Sequence, residues 1–131
     1  MFSHIYIGIT DFDRALAFYR ELMSILGLEE RFCDYERSWA GWHSPGGARP
    51  IFLIGRPYDN QPQSAGNGHL SAFLAPNRAI VDLVYNLALD NGGTSEGAPG
   101  LRPEYHENYY GAYFRDPDGN KFCVVCHSPE T

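Results

Sequence analysis

The sequence predicts an α+β protein built from two β-α-β-β-β halves, and three observations carry that reading. Sliding the 131-residue chain by 65 residues places His4 on His69, one helical pattern on another, and Gly27 on Gly92. Each half opens with an alternating strand pattern and continues into an amphipathic stripe that stops at glycine. The chain closes on Tyr109-Tyr110-Gly111-Ala112-Tyr113-Phe114-Arg115, then Asp116-Pro117-Asp118-Gly119, then Asn120-Lys121-Phe122-Cys123. A φ-restricted proline and a permissive glycine between two aromatic and β-branched runs predict a strand, a tight turn and a strand.

In the first half, Ile5, Ile7 and Ile9 alternate with His4, Tyr6 and Gly8. Period-2 geometry puts the isoleucines under a helix and the histidine on the opposite face. The helix expected over 11–26 has Thr10 and Asp13 as a weak relative of a capping box, an apolar stripe of Ala15, Leu16, Phe18, Tyr19, Leu22 and Leu26, and Gly27 as its stop. Strands follow at 29–33, 38–43 and 50–54. In the second half Leu70, Ala72 and Leu74 are expected to oppose His69, Ser71 and Phe73, with a helix over 76–91 ending at Gly92-Gly93. A loop over 97–107 then precedes strands at 108–115 and 121–127. The domain expectation is one domain, with a first module over about 1–57, a polar connector over 58–68 and a second module over about 69–131.

Composition narrows the function classes. The content of 44% hydrophobic residues suits a globular core, and the formal net charge of −6 without a basic stripe disfavours nucleic acid and anionic membranes as partners. No apolar run approaches the ~20 residues of a membrane-spanning helix, and no signal-like N-terminus is evident, so a cytoplasmic location is expected. Three cysteines are few and odd in number, which favours reduced thiols. Cys123-Val124-Val125-Cys126-His127 matches C-x-x-C-H, but a strand sends the two thiols to opposite faces, against both a haem and a redox reading.

The duplicated halves, the opening histidines, the stretch from Gly97 through Arg102, Tyr105, His106 and Tyr110-Gly111-Ala112, and the Asp116-Pro117-Asp118-Gly119-Asn120 turn together resemble the vicinal oxygen chelate superfamily. That group contains glyoxalase I, extradiol dioxygenases and bleomycin-resistance proteins. The resemblance implies that the two modules pair into an open barrel-like cleft with metal ligands projecting inward. It carries ligand positions onto His4 and His69, and places Cys123 where the family has a glutamate. The first-half glutamate position falls near Ile51 or Leu53, where no donor stands.

Two readings follow. In the first, a divalent metal such as zinc, nickel or iron sits on His4, His69 and Cys123, with an open position for a small oxygenated substrate. The enzyme would be a lactoylglutathione-lyase-like lyase or isomerase, or a dioxygenase, with His106 as acid or base. Tyr105, Tyr109, Trp42 and Arg102 are the candidate substrate-binding residues, and Arg115 is a further candidate anion holder. The alternative is a metal-free small-molecule binding protein of the bleomycin-resistance type, which the apolar Ile51 and Leu53, the cysteine and the 15% aromatic content favour. Either form could be a homodimer.

Overall fold

The computed structural model describes residues 1–130 and divides into two compact units, Met1–Ala65 and Gly66–Thr131. The chain order of the first unit is β1 (His4–Gly8), α1 (Phe12–Ile25), β2 (Glu29–Asp34), β3 (Trp39–Ser44), a 3-10 turn (Pro45–Gly47) and β4 (Ala48–Gly55). The second runs β5 (Ser71–Leu74), α2 (Arg78–Asp90), β6 (Thr94–Leu101), β7 (Tyr110–Arg115) and β8 (Lys121–Cys126). Each unit therefore has the expected β-α-β-β-β order and one four-stranded sheet. The sheet orders are β1-β4-β3-β2 and β5-β8-β7-β6, with the first strand parallel to the last and the other pairs antiparallel. Neither sheet closes into a barrel.

In each unit the core lies between the helix and one face of the sheet. Ile9, Phe18, Tyr19, Leu22, Met23, Ala40, Trp42 and Ile54 are at most 2% exposed in the first. Tyr19 packs on Phe52 and Trp42 at ring-centroid separations of 5.4 and 6.5 Å. In the second, Val81, Val84 and Ala88 of α2 lie over Ala112, Phe114, Phe122 and Val124, and Phe122 stacks on both Phe73 and Phe114.

The caps differ from the expectation. Asp11, not Thr10 or Asp13, is the N-cap of α1, its side chain accepting from the Arg14 amide at 3.1 Å, and Asn77 does the same for the Ile80 amide at 2.9 Å in α2. A short polar acceptor in extended conformation satisfies an amide that the first helical turn leaves unpaired. The 97–107 loop is corrected too, since β6 extends to Leu101. Its glycines, its proline and its two register shifts against β7 mask the strand pattern.

The internal repeat is displaced by one residue from the expected offset. Gly8 pairs with Gly55 and Leu74 with Val125, while Ile9 and Ala75 donate to the carbonyls of those same partners. Gly8 and Leu74, like the caps Asp11 and Asn77, are 66 residues apart. The glycines that follow the helices, Gly27 and Gly92, are 65 apart because α1 has 14 residues and α2 has 13. Aligning on the helix stops thus misplaces the opening strand by one, and a one-residue slip turns every side chain to the other face. Phe73 accordingly packs toward the helix and Leu74 is 72% exposed, the reverse of the expected pattern. Leu70, not His69, is the counterpart of His4.

Candidate functional site

The helix-distal face of each sheet is where the two halves can carry chemistry, and strand pairing aligns its rows. In the first unit one row across the sheet reads Tyr6, Leu53, Gly41 and Phe32, and the next reads Gly8, Gly55 and Trp39. The corresponding rows of the second unit are Ala72, Cys123, Tyr113 and Gly97, then Leu74, Val125 and Gly111. Leu53 is therefore the counterpart of Cys123.

The face of the first unit is open. Tyr6 lies over Gly55, where a Cβ would collide with the phenol, and its hydroxyl donates to the Arg56 carbonyl at 2.6 Å. The segment after β4 returns over the sheet, bringing Gln63 against Gly8. Between them is an open cleft of about 900 Å³ lined by Tyr6, Gly8, Trp39, Arg37, Arg56 and Tyr58, with Asp59 and neighbouring polar residues. Burial raises the Tyr6 phenol above its ordinary range, so it is neutral at physiological pH.

The same face of the second unit is filled by its own side chains. Tyr109 folds over Gly111, and its hydroxyl meets the Tyr113 hydroxyl at 2.9 Å and the Cys123 sulfur at 3.4 Å. Arg102 donates to the Ala98 carbonyl at 2.8 Å and lies 5.6 Å from the Tyr113 ring centre. Cys123 is fully buried, and desolvation pushes its thiol above the ordinary value. Tyr109 is also raised, chiefly by burial and then by its contact with Cys123.

Beside this lid, the Asn108 amide donates to His106 Nδ1 at 3.1 Å, and His106 Nε2 meets His127 Nδ1 at 2.8 Å. The first contact makes Nδ1 the acceptor, so the neutral ring carries its proton on Nε2 and donates it to His127. Both nitrogens of His106 are engaged within the unit. The Tyr105 and Tyr109 rings pack at a tilt of 55° with centroids 4.9 Å apart, and Tyr105 is exposed.

These positions revise several expectations. Trp42 is 2% exposed under α1, so it serves the core and not a ligand; the adjacent tryptophan on the open face is Trp39. Arg102 is already occupied by carbonyls and the Tyr113 ring. Arg115 pairs with Glu96 at 2.5 Å and holds the Gly119 carbonyl at 2.8 Å, a hairpin role. The Asp-Pro-Asp-Gly-Asn turn is likewise structural, Asp116 accepting from the amides of Asp118 and Asn120 and from the Asn120 side chain, each at 2.9 Å.

Of the expected metal ligands, His4 belongs to the first unit and His69 and Cys123 to the second. His4 is exposed on β1, its Nδ1 against the Ser3 hydroxyl at 2.9 Å, and His69 precedes β5 and packs against Gly66. Cys123, the softest donor, is buried, with the Tyr109 hydroxyl 3.4 Å from its sulfur. Among the described residues no three His, Cys, Asp or Glu side chains gather within a unit around a common point. Residues that the sequence reading missed are Tyr6, Tyr113, Arg37, Arg56, Tyr58 and His127. Alternation alone placed Tyr6 beside His4 on the outer face; the others needed the cross-strand register or the course of the loop.

Residues 1–124 match the family model described as Glyoxalase/Bleomycin resistance protein/Dioxygenase superfamily, and the chain belongs to this superfamily. It is 35% identical to a glyoxalase/bleomycin resistance protein from Albidiferax ferrireducens T118, over 96% of this chain and 98% of that one, with a TM-score of 0.85. Two further solved structures share the fold. A glyoxalase/bleomycin resistance protein/dioxygenase family enzyme from Burkholderia phytofirmans PsJN is 21% identical over 96% of this chain and 98% of that one, with a TM-score of 0.70. A lactoylglutathione lyase from Agrobacterium tumefaciens is 23% identical over 96% and 92%, with a TM-score of 0.65. Comparison with curated proteins gives no match. No helix among the described residues is long and apolar enough to cross a membrane.

Proposed function

We propose that this chain is a metal-free binding protein for a small organic molecule, held on the open face of the first unit. The observation that carries the reading is the cleft of about 900 Å³ with the Tyr6 and Trp39 rings of the sheet face in its lining. Its size and its mixture of aromatic walls with a few polar groups suit a drug-sized ligand. The sealing of Cys123 beneath Tyr109 and the leucine at its counterpart position, Leu53, support the same reading, because one position is closed to solvent and the other carries no donor.

The competing reading is the metal-dependent lyase, isomerase or dioxygenase built on His4, His69 and Cys123 with His106. One experiment separates them. Protein prepared without chelator or a metal-carrying tag is measured by elemental analysis, and its thermal transition is followed against a panel of planar organic compounds. The binding reading expects no stoichiometric metal, an unchanged result in Cys123→Ala, and stabilisation by members of the panel that Trp39→Ala abolishes. Stoichiometric zinc, nickel or iron that is lost in Cys123→Ala overturns it.

A further inference from the structure

Building on that binding reading, we propose that the first unit's cleft selects a planar aromatic carboxylate, with the ring system against the aromatic wall and the carboxylate on Arg37 and Arg56. Both arginines line the cleft. Four of the other arginines are committed elsewhere: Arg20 to Glu30, Arg78 to Glu130, Arg115 to Glu96, and Arg102 to backbone carbonyls. Among the described residues neither the Arg37 nor the Arg56 guanidinium has a hydrogen-bond or ion-pair partner; Arg37 bonds through its amide to Asp34, and Arg56 accepts from Tyr6 through its carbonyl.

The local charge opposes that of the whole chain. Against two guanidiniums the cleft wall carries one carboxylate, Asp59, whose Oδ1 already accepts from the Gln61 amide at 3.0 Å. Tyr6 adds no negative charge, because its phenol is kept neutral and donates its proton to a carbonyl. A concave lining with two arginines against one aspartate, on a protein of formal net charge −6, favours an anion at that place. Guanidinium favours a planar carboxylate, which it can meet with two parallel hydrogen bonds. The aromatic wall supplies the apolar contact that a simple inorganic anion could not use.

The test compares 2-naphthoate with the isosteric neutral 2-naphthylmethanol by titration calorimetry, with the indole N–H resonances of Trp39 and Trp42 followed by NMR and assigned with Trp39→Phe. The proposal expects 2-naphthoate to bind about tenfold tighter than the alcohol, a preference of the size that charge-assisted hydrogen bonds give. It expects the Trp39 signal to move and the Trp42 signal to stay. Arg37→Gln and Arg56→Gln should each erase most of the preference while leaving the circular dichroism spectrum unchanged. Equal affinity for the two probes, or wild-type naphthoate binding in both arginine variants, overturns carboxylate selection while the binding reading stands. Failure of both probes to bind, with no response from Trp39, defeats both.

Discussion

The helix-distal faces of the two units start from the same backbone and end as opposites. At equivalent rows the first unit has Gly41 and Gly55 where the second has Tyr113 and Val125, and it has Tyr6 where the second has Ala72. The first face keeps space, and a returning loop turns that space into a cleft. In the second, Tyr109 and Tyr113 close over Cys123, so the position with the most reactive atom is the one sealed from solvent. A repeated fold supplies two similar faces; the volume of a few side chains decides which one can receive a ligand.

The sharpest way to break this comparison uses the two tryptophans, which sit three residues apart on opposite faces of β3. Trp42→Ala should cost about 3–5 kcal/mol, the range for removing a buried aromatic from a core. Its denaturant midpoint should fall strongly. Trp39→Ala should cost much less and act on ligand binding instead. Equal stability losses would mean that the outer face is as well packed as the core.

A second test closes the open face. Gly55→Val installs the residue that the second unit already carries at Val125 and drives it into the Tyr6 phenol. Overpacking of this kind costs about 1–3 kcal/mol, and the displaced tyrosine should abolish ligand-induced stabilisation. Retained binding would place the ligand elsewhere.

The sealed face has a pH signature. Cys123, Tyr109 and Tyr113 are all held above their ordinary values, in each case first by burial. Raised acids favour the folded state fully below their unfolded values, and that stability is lost as pH climbs toward their folded values. The urea midpoint should therefore decline from about pH 9, where an unfolded thiol of ordinary value 9.0 begins to ionise. Cys123→Ala should delay the decline toward the ordinary tyrosine value of 10.0. An onset that does not move would show that the thiol is not linked to folding.

The smallest effects should fall where the units agree. Asp11→Ala and Asn77→Ala each remove one capping hydrogen bond and should each cost about 1 kcal/mol. Unequal losses would reveal that one helix relies more heavily on its cap.

What the sequence alone determined was the repeating architecture. Alternating isoleucines in β1, the stripe of Ala15, Leu16, Phe18, Tyr19 and Leu22, and the Asp-Pro-Asp-Gly turn are local signals, because periodicity and turn chemistry act over a few residues. They located both helices and most strands, and only β6 was hidden, by its glycines and irregular pairing. The candidate site was less legible, for reasons of register. A helix one residue shorter in the second half makes His69 look like the partner of His4, although strand pairing gives that place to Leu70. Trp42 and Trp39 look interchangeable in an aromatic cluster until the pairing of β3 with β4 sends one into the core and the other to the cleft. Arg37, Arg56 and Tyr58 belong to turns and a connector with no periodicity, so only the path of the folded chain brings them to Tyr6. Tertiary structure decided these points because facing and enclosure depend on which strand lies beside which, a relation between residues tens of positions apart.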